Sequence, residues 1–243
     1  MTIGIYGLGR FGMFWGKVLS QYYTVLGWNR TPKQDVPPGI KPADEDEVLA
    51  TDVVFFCVSI SSFQDVLKRV ASRIPPGTLI LDTCSVKSMP VRWMLELLPE
   101  ENRIIGSHPM FGPDSGAGGL QGLPMVLCPA RIGEKELNYW TGEFSRIGLR
   151  VLRMAADEHD HQAAYSQGIT HFIGRVVDDL DLEAYPISTL GFQKMLDVVA
   201  QTCNDPFQLF LDLQRYNPYT GEMRERLYTS LMKMLAILDD DAE

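Results

Sequence analysis

Cysteine is scarce in this 243-residue sequence: four residues, at positions 57, 84, 128 and 203, with no C-x-x-C spacing. That argues against a disulfide framework and a zinc site and points to a reducing compartment. Long hydrophobic runs are lacking too. The longest, residues 53–60, falls far short of the roughly 20 apolar residues that a bilayer span needs, so no membrane association is expected. A basic excess is also missing: 22 Lys and Arg face 31 Asp and Glu, for a net charge of −9. Such a balance excludes nucleic acid and anionic lipid as natural partners. Met1 is followed at once by a strand-like run, so neither a signal nor a transit peptide is expected, and the reading is cytoplasmic. What remains, 45% hydrophobic and 22% charged residues, suits an ordinary globular protein of one large domain or two modest ones.

The apolar pattern alternates between strands and helices. Thr2 to Tyr6 and Thr24 to Trp28 read as strands flanking a helix-like run from Phe11 to Gln21, a β-α-β unit. Val53 to Val58 is continuously apolar, as in a strand buried on both faces. Helix Phe63 to Ile74, strand Leu79 to Asp82, helix Val91 to Leu98 and strand Arg103 to Gly106 follow, then strand Met125 to Cys128, helix Glu134 to Ile147 and strand Arg150 to Met154. After Ala155 only helices are expected, at about 157–181, 187–203 and 206–238, the last broken at Asn217-Pro218, with Asp239 to Glu243 a frayed tail. The fold class is therefore α/β: an N-terminal Rossmann-type doubly wound parallel sheet, residues 1–154, and a C-terminal all-helical domain, residues 155–243. A helical segment that short has little room for its own core, so a homodimer through the C-terminal helices is expected.

Two constellations carry chemistry. Gly7-Leu8-Gly9-Arg10-Phe11-Gly12 sits between a strand and a helix, the context a dinucleotide-binding turn requires. Gly7 permits the turn, Gly9 lets the backbone approach a pyrophosphate, and Gly12 allows close helix–strand packing. The second strand ends in Asn29-Arg30-Thr31, with no carboxylate to hold a ribose 2′-hydroxyl. Arg30 can instead pair with a 2′-phosphate while Asn29 and Thr31 donate hydrogen bonds, so NADP is the expected cofactor. Cys57, Val58 and Ser59, at the end of the 53–58 strand, complete the expected cofactor contacts. The second constellation is Ser107-His108-Pro109-Met110-Phe111-Gly112-Pro113, read as a rigid loop after a strand. Pro109 restricts the backbone of His108. A dinucleotide beside a fixed imidazole is the equipment for oxidising an alcohol by hydride transfer.

These motifs, with Asp82 to Lys87, Glu158-His159-Asp160, Ser166 to His171, Asp205-Pro206-Phe207 and Arg215-Tyr216-Asn217, resemble in order and spacing the prephenate/arogenate dehydrogenase family. The likeness is greatest to the short plant-type arogenate dehydrogenases and extends over nearly the whole chain. It implies NADP-dependent oxidative decarboxylation of arogenate to tyrosine, with prephenate dehydrogenase, giving 4-hydroxyphenylpyruvate, as the alternative. It further implies that His108 polarises the substrate's ring hydroxyl and that Ser85 sits between substrate and nicotinamide. Ser85 as a turn serine is the competing reading. Lys87 is read either as a partner of a substrate carboxylate or as a solvated lysine. Thr170 and His171 are expected on the first helix of the second domain, facing the cleft as substrate contacts, with a buried, satisfied helix histidine as the equal competing reading of His171.

Asp205 stands where the resemblance implies an acidic residue that attracts the ammonium of arogenate. Asn204-Asp205-Pro206 is equally a good helix start, with Asp205 as N-cap. The arginine that the family's bacterial branch carries in the segment matching Leu190 to Asp197 is missing, leaving Lys194, Arg215 and Tyr216 as unranked candidates for a carboxylate. His159 and His161 read as surface residues at a helix start. No metal site is expected, and neither a regulatory nor a chorismate mutase domain is expected to flank the chain. More remote readings are a β-hydroxyacid-type dehydrogenase, which would need Lys194 as its catalytic lysine, and a non-catalytic NADP-sensing module.

Overall fold

The computed structural model describes residues 1–240 and divides into two compact units, Met1–His159 and Asp160–Glu243. The first is built on one eight-stranded sheet. Its strands are β1 (Thr2–Tyr6), β2 (Thr24–Trp28), β3 (Ile40–Pro42), β4 (Val53–Phe56), β5 (Leu79–Asp82), β6 (Arg103–Pro109), β7 (Pro124–Arg131) and β8 (Arg150–Arg153), in spatial order β3-β2-β1-β4-β5-β6-β7-β8. The sequence of β1, β4 and β5 is almost unbroken in apolar residues because both faces of these strands are covered, as in parallel sheets generally. Helices α1 (Arg10–Leu19), α2 (Glu45–Leu49), α3 (Ile60–Val70), α4 (Ser88–Leu97) and α5 (Glu134–Arg146) connect them. The strand order reverses between β1 and β4, and doubly wound folds bind ligands at the carboxyl ends of the strands flanking such a reversal.

Several expectations need correction. The sheet is mostly parallel, but β7 runs antiparallel to β6. Strand β6 extends to Pro109, so His108 lies on a strand, opposite Val126, and the expected loop begins only after Pro109. Backbone pairing with β7 fixes His108 more firmly than a loop would. Strand β3 and helix α2 were not foreseen. Both are short, and α2 depends on an Asp44–Glu47 capping box in which the Asp44 N–H donates to Glu47 Oε2 at 2.8 Å.

Helices α6 (Ala156–Ala163) and α7 (Ile169–Asp178) are separated by a π-helical turn, Ala164–Gly168. This interrupts the single helix expected from 157 to 181. Helices α8 (Leu190–Cys203), α9 (Phe207–Tyr216) and α10 (Thr220–Asp240) complete the chain, and the break between α9 and α10 falls at Asn217-Pro218 as expected. Asn217 is buried and ties this corner down by donating from Nδ2 to the Asp160 carbonyl at 2.8 Å. Helix α10 runs through the first two residues of the tail expected to fray, and the rest of that tail lies outside the described residues. No helix among the described residues is long and apolar enough to cross a membrane.

Candidate active site

The glycine turn follows β1. Gly7 has φ +109°, and a Cβ there would lie 2.5 Å from the Cys57 carbonyl oxygen. At Gly12 a Cβ would fall 1.9 Å from the Gly7 carbonyl oxygen, so any side chain would push α1 off the turn. Gly9 differs: a Cβ would meet no atom within 4 Å. Gly9 caps α1, whose first turn carries no acidic residue. Open backbone at an uncontested helix N-terminus is what a dinucleotide diphosphate requires.

The turn opens on a cavity of about 650 Å³ lined by Tyr6, Gly7, Gly9, Trp28, Asn29, Arg30, Thr31, Cys57, Val58 and Ser59, with Ser61, Ser62, Asp65, Val66 and Arg69. Most of the expected cofactor residues therefore meet in one place. Arg30 and Thr31 are exposed at its rim. Asn29 braces the turn from within: its Oδ1 accepts the Leu8 N–H at 2.9 Å and its Nδ2 donates to the Thr31 carbonyl at 2.7 Å. The expected contacts Leu8, Arg10, Phe11 and Gly12 do not line the cavity. Leu8 is core, Phe11 packs its ring beside Trp15 and Phe111, and Arg10 pairs with Asp114 at 2.8 Å. Burial pushes the Cys57 thiol up to about 12, so it stays protonated.

Arg69 and Trp28 were missed as cavity walls. Arg69 lies 5.9 Å over the Trp28 ring and is anchored by Glu45 at 2.7 Å and by the Tyr6 hydroxyl. Its spacing on α3 shows only as ordinary helix periodicity.

The second centre forms where β5 and β6 lie side by side. Asp82 ends β5, and its Oδ1 accepts the Ser107 N–H at 3.0 Å. Lys87 is fully buried, pairs with Asp82 and donates to the Ser107 carbonyl at 2.6 Å. Neither reading of Lys87 from the sequence survives: it is not solvated, and its ammonium is already engaged inside the protein. Ser85 lies in the segment thus held. It is buried, and its Oγ has no hydrogen-bond partner.

His108 is 3% exposed, and burial, reinforced by electrostatic opposition from the neighbouring His159 and Lys87 to a proton on the ring, holds its pKa well below the usual histidine value. The ring is therefore neutral at pH 7. His159, expected on the surface, is 2% exposed and lies against His108, with Nδ1 of His108 and Nε2 of His159 2.8 Å apart. The available signal was the helical spacing of His159, Asp160, Ala163 and Ala164, which form the buried face of α6 and the start of the π turn. His161, by contrast, is exposed.

In the second unit, His171 is buried on α7 and its Nδ1 has no partner. Burial lowers its pKa, Asp205 opposes the shift, and Arg175 adds to it, so these three groups form one cluster. Arg175, one helical turn beyond His171, donates from Nη2 to the carbonyls of Asp205 at 2.8 Å and Thr202 at 3.3 Å. Helix α9 opens at Phe207 with Pro206 at its N-cap, so Asp205 stands one residue outside the capping position expected for it. Thr170 is exposed and donates to the Ser166 carbonyl at 2.9 Å. Lys194 and Arg215 are exposed and Tyr216 is half-buried. Among the described residues no cluster fit to hold a metal ion is present.

A glycine turn at the reversal point of a mostly parallel sheet, opening on a cavity of about 650 Å³, defines a nucleotide-binding domain of the Rossmann class. Residues 34–152 match the family described as prephenate dehydrogenase, nucleotide-binding domain, and residues 176–243 match the TYRAAT1-like C-terminal domain. The chain is 37% identical over 95% of its length to arogenate dehydrogenase 1, chloroplastic, of Arabidopsis thaliana, and 36% identical over 93% to arogenate dehydrogenase 2, chloroplastic, of the same plant. It spans 38% of the first relative and 67% of the second. With these matches, the chain belongs to the prephenate/arogenate dehydrogenase family.

Two solved structures share its fold. The Aquifex aeolicus prephenate dehydrogenase in complex with hydroxyphenyl propionate and NAD+ has a TM-score of 0.71 at 19% identity, covering 99% of this chain and 92% of that one. The Synechocystis arogenate dehydrogenase has a TM-score of 0.69 at 17% identity, covering 98% and 93%.

Proposed function

We propose that the protein is an NADP-dependent arogenate dehydrogenase of tyrosine biosynthesis, with residues 1–154 binding the dinucleotide and residues 155–243 serving substrate recognition and dimerisation. The observation that carries the chemistry is a buried His108 kept neutral, in the same unit as a glycine turn open to a diphosphate. A nicotinamide dinucleotide held at the glycine turn and Asn29 to Thr31 would supply the acceptor for the hydride of the hydroxyl-bearing ring carbon. His108 takes the hydroxyl proton at Nε2, its Nδ1 being engaged. As the ring carboxylate leaves as carbon dioxide and the ring becomes aromatic, the oxygen takes a proton back. His108 thus needs a pKa low enough to release what it accepts, and its burial supports that. Ser85, with an unpartnered Oγ, is the proposed hydroxyl donor at the same locus.

Arg30 and Thr31 at the cavity rim, where the end of β2 carries no carboxylate, favour NADP over NAD. Asp205, clustered with His171 and standing outside the helix cap, favours the ammonium of arogenate over the keto group of prephenate, and Thr170 belongs to the same proposed substrate contacts. Nothing comparable supports a β-hydroxyacid dehydrogenase, since Lys194 is exposed. Helix α10 exposes Tyr228, Leu231, Leu235 and Leu238, a face that a second copy would cover in the proposed homodimer. The four free cysteines fit a reducing, cytoplasm-like compartment.

Absorbance of reduced cofactor, followed with arogenate and prephenate against NADP and NAD, tests these assignments. The expected result is fastest turnover with arogenate and NADP. Cofactor binding without turnover on either substrate would leave the non-catalytic sensor reading, and faster prephenate turnover would give the alternative activity.

A further inference from the structure

We propose that His159 is the positioning residue of His108: it accepts the His108 Nδ1–H and so holds the ring in the tautomer whose Nε2 is free to act as a base. The inference rests on the reading of His108 as that base, and it adds a residue which acts only through another. Its grounds are geometric. The two rings are both almost fully buried, lie 5.0 Å apart between centroids in an edge-to-face arrangement, and bring Nδ1 and Nε2 to 2.8 Å. At that separation one nitrogen carries a proton and the other does not.

The direction of the bond follows from the chemistry. A neutral imidazole is a base only at its unprotonated nitrogen, so a proton on His108 Nδ1 is the arrangement that leaves Nε2 basic. His159 then presents Nε2 as acceptor and carries its own proton on Nδ1. In many acid–base sites a carboxylate orients the histidine in this way. A carboxylate would also stabilise the imidazolium and raise the pKa. Here the proton must be returned when the ring aromatises, and a neutral partner orients the ring without strengthening its hold on the proton. Lys87, held by Asp82 one residue away from His108 on the Ser107 carbonyl, acts in the same sense.

The position of His159 in the fold agrees with such a role. It lies on α6, whose N–H at His159 donates to the Ala155 carbonyl at 3.0 Å, so the ring is carried by a hydrogen-bonded helix. His108 is carried by a paired strand. Two rigid elements therefore fix both partners.

The test has a readout that does not depend on turnover. Protein labelled with nitrogen-15 at histidine is examined by long-range proton–nitrogen correlation at pH 7.5, with His108→Gln and His159→Gln assigning the signals. The expected wild-type spectrum shows His108 as the Nδ1–H tautomer, shifting in His159→Leu toward the Nε2–H form. A wild-type His108 protonated on Nε2 overturns the proposal outright. In kinetics, His159→Leu is expected to lower kcat by roughly 10- to 100-fold with the cofactor KM unchanged, whereas His159→Gln, which keeps an acceptor near Nε2, regains most of that loss. Equal losses in the two variants, matched by equal drops in thermal midpoint, would mean a packing role and overturn it. His108→Ala separates the two levels of argument: a loss of roughly 10²–10⁴-fold is expected, and near-normal turnover would remove the base itself, whatever His159 does.

Discussion

Lys87 and Asp82 form an ion pair that neither side chain shares with solvent, and the pair clamps the segment carrying Ser85 to strand β6 one residue before His108. Asp82 accepts from the N–H groups of Cys84 at 3.1 Å and Ser107 at 3.0 Å, while Lys87 donates to the Ser107 carbonyl. Removing one partner strands the other charge in the interior. Lys87→Met is therefore expected to cost about 3–5 kcal/mol of stability. Urea denaturation checks this, and the double variant Asp82→Asn/Lys87→Met should recover part of the loss. A Lys87→Met protein with an unchanged midpoint would mean that the pair contributes nothing.

Arg30 at the cavity rim gives a prediction about cofactor choice. A charge-assisted hydrogen bond to phosphate is worth about 1.5–3 kcal/mol, so Arg30→Ala should raise the KM for NADP by roughly 10- to 100-fold and leave that for NAD nearly unchanged. Steady-state kinetics with both cofactors decides it. Equal effects on the two would assign Arg30 to something other than a 2′-phosphate.

Asp205 gives a prediction about substrate. Asp205→Asn keeps the shape of the residue and removes its charge, so the ratio of kcat/KM for arogenate over prephenate should fall or invert. An unchanged ratio would leave Asp205 as a residue of the α8–α9 corner, where its carbonyl already receives Arg175.

The buried histidines predict the dependence of stability on pH. His108 and His171 both have pKa values lowered in the folded protein, chiefly by burial. Below about 6.5 the unfolded chain takes up protons that the folded protein refuses, so stability present at pH 7 falls as the pH drops through the window beneath that value. Glu45 works in a lower window: Arg69 holds its pKa near 2, so its contribution is lost only as the pH falls from the ordinary glutamate range toward that value. Urea midpoints measured from pH 7.5 to 5 should decline, and His108→Gln should flatten the decline. A flat wild-type profile would contradict the buried, neutral state of both rings.

The sequence alone determined whatever depends on neighbours along the chain. The β1–α1–β2 unit, the apolar strands β4 and β5, the glycine turn and the break at Asn217-Pro218 are written in local periodicity and in residues of special backbone geometry. A side chain at Gly12 collides with Gly7, only five positions away, so the motif announces itself.

Tertiary structure decided the rest, and the reason is distance in sequence. His159 reaches His108 across 51 positions, and Asp82 reaches Ser107 across 25. A histidine among acidic residues and a lysine after a strand look solvated until long-range packing removes the water. The antiparallel pairing of β7, which makes His108 part of a strand, likewise has no local signature. Local physics shaped the glycine turn, and only packing could show which imidazole stands behind His108.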